Sequence, residues 1–467
     1  MIPLSLTRVA ELTGGVLHGP ERAGELVIDG PVVTDSRECG PGGLYVARIG
    51  EHADGHAFVP EAAARGAVAA LTSRVVDDLP CVVTDDVQLA FGRLARGVID
   101  AAPDLHVIGI TGSSGKTSTK DLLASVLATA GETVAPVNSL NGEIGVPLTV
   151  CRVTPSTRHL VVEMGARGIG HLRYLTQVAP PGIAIVLNVG SAHVGEFGSR
   201  ENIARAKAEL PQALPADGLA ILNADDPLVA AMAEGLAARV CFVGTSERAA
   251  VRAEGVVLDE AGRAAYTLVA PQGRAPVSLG LVGPHHVGNS LAVAAAALEL
   301  GLPVEAIASA LSAARPVSRW RMEVTQRPDG VTVINDAYNA NPESMRAALD
   351  ALAAMTTSGR RWAVVGEMLE LGESSAAEHA AIGRYAAELG IDRLVAVGDG
   401  ARSVGAPEWV SDTGAAFDLL RVELEPGDLV LFKSSRDSGL RWLGDRVAGR
   451  DEPGSPVGAA GRAEVAP

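Results

Sequence analysis

Apolar positions in this chain recur in one rhythm throughout: a short run rich in β-branched residues, then a polar loop, then apolar residues at helical spacing. Before residue 100 the runs are brief, as in LVIDG, VVTDS and LYVAR, interleaved with the helical segments AFVPEAAARGA and VQLAFGRLARGVI. From Leu105 they lengthen into HVIGI, HLVVEM, GIAIVLNV and GLAILNA, each continuously apolar. A strand without polar alternation is buried on both faces, so this stretch predicts a mainly parallel sheet covered by helices. A third group, TVINDA, RWAVVGEM, RLVAVGD and DLVLFKSS, is separated by helical segments such as PESMRAALDALAAM and AAEHAAIGRYAAELG. It predicts a second, smaller doubly wound sheet.

The fold class is therefore α/β in three domains, expected at residues 1–102, 103–315 and 316–449. Residues 450–467, dominated by Gly, Ala, Pro and charge, are expected to be a disordered tail. A chain of 467 residues is longer than one core usually holds. Its net charge of -16 excludes partners that need a general positive field, nucleic acids above all. Anionic ligands must then be met by local groups or metal ions. Cys39, Cys81, Cys151 and Cys241 show neither paired-ligand nor disulfide spacing, so a reducing, cytoplasmic setting is expected. The start, MIPLSLTRVAELTGG, lacks the basic and apolar regions of a leader, and no run reaches membrane-spanning length.

Candidate chemistry starts where LHVIGI breaks into TGSSGKTS. Gly112 and Gly115 let the backbone approach an oxyanion, with Ser113, Ser114 and Ser118 around them, and the following helix presents free N–H groups and a positive dipole end. Lys116 adds a mobile cation, and Thr117 a hydroxyl suited to Mg²⁺. The loop is shorter than the general nucleotide loop, because Ile110 stands where the first glycine would be. Lysine is scarce: only Lys116, Lys120, Lys207 and Lys433 occur, against thirty-five arginines. Scarcity makes each lysine a candidate for work that a guanidinium cannot do, although Lys120, one helical turn after Lys116, reads as a solvated side chain. Ligands of open parallel sheets lie beyond the carboxyl ends of the strands, which gathers the loop, Glu163, Asn188 and His193 at one crevice. Glu163 beside Thr117 suits a divalent cation, and His193 offers a nitrogen ligand. Lys207, in ARAKAEL, could lose its proton and take up CO₂ as a carbamate, an anion able to hold Mg²⁺.

Together these segments resemble the Mur ligase superfamily, ATP-dependent amide-forming enzymes of peptidoglycan precursor synthesis, over nearly the whole chain. TGSSGKTS is similar to its shortened nucleotide loop; EMG at 163–165, NVGSAHVGEFGS at 188–199 and ARAKAEL at 204–210 match its metal and carbamylated-lysine segments in order. The resemblance implies a small N-terminal UDP-binding domain, a central P-loop ATPase and a C-terminal Rossmann-like domain. It implies ATP with two Mg²⁺, one held by Thr117 and Glu163 and the other by His193 and carbamylated Lys207, with Lys116, His193 and Lys207 catalytic. Asn289 in GPHHVGNSLAVAAA, together with Arg321, Asp336, Tyr338, Asn339 and Asn341, would contact the nucleotide; Arg319 stays open beside Arg321. TDSRECGPGG and the Asp54-Gly55-His56 turn resemble the UDP-sugar-binding segment, implying substrate contacts at Asp35, Ser36, Arg37 and His56, with Asn141 as a further one. Gly142 replaces the second of two asparagines usual there.

INDAYNANPESM at 334–345, VVGEMLELGESSAAEH at 364–379 and LFKSSRDSGLRWL at 431–443 resemble the branch of the family that adds D-alanyl-D-alanine. The implied partners are UDP-N-acetylmuramoyl-tripeptide and D-alanyl-D-alanine, with Lys433 and Arg436 on the dipeptide carboxylate or the phosphates, in a monomer. Two alternatives stand beside this. Another amino-acid-adding ligase, tripeptide-forming or folylpolyglutamate-type, would keep the ATP site, and a P-loop nucleotide switch would need only residues 105–200.

Overall fold

The computed structural model describes residues 1–51, 53–190 and 194–450. The expectations for His193 and for the tail from residue 451 onward lie outside the described residues. Three α/β units follow one another along the chain.

The first carries a five-stranded sheet in the order Val16–His18, Cys81–Val83, Ala67–Thr72, Gly43–Val46, Val32–Val33. The middle unit is built on nine strands, ordered Gly273–Val282, Arg263–Ala270, Val251–Leu258, Arg239–Gly244, Leu219–Asn223, Ile183–Val186, His106–Thr111, Thr157–Glu163, Glu132–Val134. From Val251–Leu258 through Glu132–Val134 the pairing is parallel, whereas the last two strands in sequence add an antiparallel meander at one edge. The third unit holds six strands, of which only the edge strand Glu323–Gln326 is antiparallel to its neighbour.

His106–Thr111 lies between Thr157–Glu163 and Ile183–Val186, and its alternation sets the two layers. Val107 joins one core with Leu160, Leu172 and Leu210, while Ile108 and Ile110 join the other with Leu122, Ile185 and Leu291. Gly109, on the first of these faces, admits the helix Arg200–Gln212 closely: a Cβ there would lie 2.9 Å from Leu210 Cδ1. The first core also contains Leu6, Val9, Leu94 and Val98, so the first and middle units share one hydrophobic interior. The third unit has cores of its own, to which the middle unit contributes Val282. Among the described residues no helix is long and apolar enough to cross a membrane.

Candidate active site

Register brings the chemistry to the carboxyl ends of interior strands of the middle sheet. Glu163 pairs with Ile110 and Val186 with Thr111, so three strand ends finish level with the loop 112–115. Gly115 begins the helix Lys116–Leu127 at φ 80, a left-handed conformation, and a Cβ there would stand 2.8 Å from Asn289 Oδ1. Glycine is therefore required twice over, by backbone and by the neighbouring helix His286–Glu299. Asn188 clamps the loop from the adjacent strand: its Oδ1 accepts from the Ser114 N–H at 2.9 Å and its Nδ2 donates to the Ser114 carbonyl at 3.2 Å. Ser113 N–H donates to the Asn188 carbonyl at 3.1 Å, and Ser113 Oγ accepts from the Gly190 N–H at 2.9 Å.

Glu163 is fully buried. Its carboxylate accepts from Thr117 Oγ1 at 3.0 Å, Ser139 Oγ at 2.8 Å and Asn141 Nδ2 at 2.8 Å, all neutral donors. Lys116 Nζ donates instead to the Gly112 carbonyl at 2.7 Å. A buried carboxylate ringed by hydroxyl oxygens, with no ion pair to a described residue, is a donor set that fits a hard divalent cation. Lys207 is also buried, and no ion pair joins it to a described residue. Burial, reinforced by the charge of Lys116, pushes its pKa well below the ordinary lysine value. Burial likewise lowers the pKa of Lys116, partly offset by Glu163. A buried amine whose pKa is pushed down, beside the cationic Lys116, fits the formation of a carbamate.

These groups line one cleft of about 1730 Å³. Its walls include Gly112, Ser113, Ser114, Gly115, Lys116, Thr117, Ser118, Glu163, Lys207 and Asn289 from the middle unit, Arg37 from the first, and Asp336, Tyr338, Asn339, Asn341, Lys433 and Arg436 from the third. Arg321, in the linker to the third unit, reaches Thr117 Oγ1 with Nη2 at 3.3 Å and stacks over Tyr338 at 4.4 Å. Arg319 turns away to Asp445 at 2.9 Å, so of the two linker arginines it is Arg321 that faces the loop. Asn341 caps the helix Pro342–Ala354 and donates from Nδ2 to the Ser113 carbonyl at 3.3 Å.

Several residues sit elsewhere than their sequence context predicts. His56 does not reach the cleft: Nδ1 pairs with Asp54 at 2.6 Å and Nε2 accepts the Ser73 N–H at 3.0 Å, a structural use of both nitrogens. Ser36 Oγ is given to Glu61 at 2.7 Å, and Asp35 holds Arg37 at 2.6 Å, so of this segment only Arg37 faces the cleft. Asn141 does line the cleft, with its Nδ2 donating to Glu163 at 2.8 Å and to Ser139 Oγ at 3.0 Å. Beside it Gly142 lines the cleft, and a Cβ there would meet nothing within 4 Å. Lys433 is buried, and its Nζ is committed to Asp336 Oδ2 at 2.8 Å and to the Asn339 carbonyl at 2.8 Å. It therefore fixes the turn 336–339, its charge met by the protein's own Asp336 carboxylate. Lys120 is not solvated at all: its side chain is 2% exposed and bonded to Asp121 and Pro136. Sequence reasoning missed Ser139, Arg167, His171 and Arg441, which also line the cleft. They belong to loops and helix ends without a phosphate-loop or metal pattern of their own.

A nucleotide loop, a buried acid and a buried lysine in the middle unit, at a cleft walled by all three α/β units, define a class, the ATP-dependent amide-forming ligases. Three family models match the chain: Mur ligase family, catalytic domain, over residues 31–90; Mur ligase middle domain over 110–297; and Mur ligase, glutamate ligase domain, over 320–436. The chain belongs to the Mur ligase family. It is 47% identical to the UDP-N-acetylmuramoyl-tripeptide--D-alanyl-D-alanine ligase of Mycobacterium tuberculosis H37Rv, over 97% of this chain and 99% of the relative. It is 35% identical to the ligase of the same name from Escherichia coli K12, covering 94% and 97%. Crystal structure I of MurF from Acinetobacter baumannii superimposes with a TM-score of 0.86 at 32% identity, covering 96% and 99%. MurF ligase from Thermotoga maritima in complex with ADP gives 0.80 at 28% identity, covering 91% and 98%.

Proposed function

We propose that this protein joins D-alanyl-D-alanine to UDP-N-acetylmuramoyl-tripeptide in the cytoplasm, consuming ATP and releasing the UDP-linked pentapeptide, ADP and phosphate for peptidoglycan synthesis. The observation that carries the reading is convergence: one cleft is lined by the phosphate loop, by Arg37 of the first unit and by Arg436 and Asn339 of the third. Near-complete coverage of relatives bearing that name supports the choice of substrates over those of other family branches.

A carboxylate resists attack by an amine because its leaving group would be oxide. Transfer of the ATP γ-phosphoryl group to the tripeptide carboxylate creates an acyl phosphate. The neutral amine of the dipeptide then attacks the acyl carbon, and inorganic phosphate departs. The first step needs positioning and charge neutralisation more than covalent help. Loop N–H groups and Lys116, freed from the Gly112 carbonyl, would meet the phosphates, and Asn188 keeps that loop in shape. Arg321 and Asn341 bring the third unit against the loop, excluding water that would hydrolyse the acyl phosphate. Thr117 and Glu163 would hold one Mg²⁺, and Lys207, carbamylated, a second with His193; such ions neutralise charge on the transferring phosphoryl group. Arg436, which lines the cleft, would meet the dipeptide carboxylate or the phosphates.

Phosphate release and product mass test the reading together. Phosphate should appear in quantity only with the UDP-linked tripeptide present, and the pentapeptide mass only when D-alanyl-D-alanine is added. Equal ATP turnover without either substrate would point to a nucleotide switch.

A further inference from the structure

Lys120 is the lysine for which the proposed chemistry has no use, and it is the most unexpectedly buried. Its Nζ lies 2.5 Å from Asp121 Oδ1, 3.0 Å from the Pro136 carbonyl and 3.5 Å from Ser318 Oγ. Adjacent helix residues point roughly 100° apart, so neighbouring Lys and Asp side chains do not pair along a helix surface of their own accord. Here a third group draws them together: Asp121 Oδ2 also accepts the Ser318 N–H at 3.1 Å. Ser318 lies midway along the linker between the helix Val304–Ala313 and the strand Glu323–Gln326, and so between the middle and third units.

Beyond Ser318 the linker is pinned to the other side. Arg319 Nη2 and Trp320 Nε1 both donate to Asp445 Oδ2 at 2.9 Å, and the Met322 N–H donates to Asp336 Oδ1 at 3.0 Å. Trp320 and Met322 have φ of 57 and 49, left-handed values that non-glycine residues keep only where their surroundings dictate them. Arg321 stands between these two fixed residues and reaches Thr117. Contacts thus run in a closed ring: from Thr117 along one helical turn to Lys120 and Asp121, across to Ser318, down the linker to Arg321, and back to Thr117. Lys120, Asp121 and Ser318 are all outside the cleft lining.

We propose that Lys120 and Asp121 are positioning residues that anchor the hinge of the third unit to the nucleotide helix, holding Arg321 over the loop so that ATP cleavage stays coupled to dipeptide transfer. This rests on the ligase reading above. A slack anchor would leave the phosphate loop intact but let the third unit dock out of register, exposing the acyl phosphate to water.

The test uses full-length Lys120→Met, Asp121→Asn and Ser318→Ala, assayed with ATP, UDP-tripeptide and D-alanyl-D-alanine. Wild type should release phosphate and pentapeptide in equal amounts. Lys120→Met and Asp121→Asn should release about threefold more phosphate than pentapeptide, with a raised KM for the dipeptide. Lys120→Arg, which keeps charge and donors, should recover part of the coupling. Equal amounts and an unchanged dipeptide KM in both variants would overturn the proposal. Should Lys120→Met fail to fold by circular dichroism, Asp121→Asn, which keeps the buried ammonium, decides, while Ser318→Ala, which keeps the backbone N–H bond to Asp121, should stay close to wild-type coupling. Trypsin cleavage after Arg319 or Arg321, mapped by mass, should be faster in Asp121→Asn than in wild type, and unchanged cleavage would sink the anchor without reference to catalysis. A wild type that makes no pentapeptide would refute the ligase reading instead.

Discussion

At the scale of single residues, burial separates the four lysines into different jobs. Lys116 lies on the loop, Lys120 anchors a linker, Lys433 fixes a turn, and Lys207 alone is buried without an ion-pair partner among the described residues. Scarcity in the sequence pointed to special work but not to which kind, because it says nothing about what surrounds each amine. The same gap explains His56, whose Asp-Gly-His turn resembles a ligand segment while both ring nitrogens serve the fold. For Lys207 the surroundings argue chemistry: Lys207→Ala should lower kcat on the order of 10²-fold or more, as removal of one charge-stabilising group commonly does. Short carboxylic acids should restore part of the activity by supplying the missing anion, and Lys207→Arg should be as inactive, since a guanidinium forms no carbamate. Steady-state assays with and without acetate check this; a fully active Lys207→Ala without rescue would remove the carbamate from the mechanism.

Buried histidines give a second prediction at this scale. Burial lowers the pKa of His159, His285 and His286, with neighbouring histidines adding to the effect at His159 and His286. The fold then binds fewer protons than the unfolded chain just below the ordinary histidine pKa, so stability rises with pH in that range. It should be complete above about pH 6.5 and fall as the pH drops below that, by up to about 1.4 kcal/mol per pH unit for each histidine. Urea unfolding at about pH 7.5 and about pH 5.5 measures the difference. His159→Gln should remove one share of it, and an unchanged slope would show that the ring stacked beside His106 is not the group that titrates.

At the scale of elements, the strands legible in the sequence were those buried on both faces. HVIGI, HLVVE and IAIV need no partner to declare themselves, because helices cover both of their sides. The meander Val251–Leu258, Arg263–Ala270 and Gly273–Val282 did not emerge, since its half-exposed strands make sense only against the sheet edge that they extend. Helix placement was hidden in a similar way. Glu209 follows Lys207 on the helix Arg200–Gln212, and its buried carboxylate accepts the N–H groups of Gly170 at 2.6 Å and Arg173 at 3.0 Å. It therefore caps the helix His171–Val178 while fixing the helix that carries Lys207. Glu209→Ala would strand two backbone donors, so unfolding should become easier by about 1–3 kcal/mol. Glu209→Gln, which keeps one acceptor, should lose less. Urea midpoints rank the two, and comparable losses would mean that the carboxylate charge, not the acceptor geometry, holds the helices together.

At the scale of the whole molecule, the division of hydrophobic interior decides what can move. The first and middle units share one core that includes Leu6 and Leu210, whereas the third keeps its own and meets the middle through Val282, through close packing at Gly195 and Gly262, and through polar contacts at Ser113, Thr117, Asp121 and Glu260. Burial of apolar surface contributes about 25 cal/mol per Å², while isolated polar contacts net only about 0.5–1.5 kcal/mol each. The first two units should consequently behave as one body and the third as a separable cap. Residues 1–315 alone should fold with a single cooperative transition and bind the UDP-linked tripeptide close to full-length strength, because Arg37 and its wall of the cleft are retained. Yet they should form no pentapeptide, having lost Arg321, Asn341 and Arg436. Calorimetric titration and thermal scanning of that fragment test both halves of the expectation. Failure to fold would locate essential stability in the interface with the third unit, and retained ligation would free the dipeptide site from it.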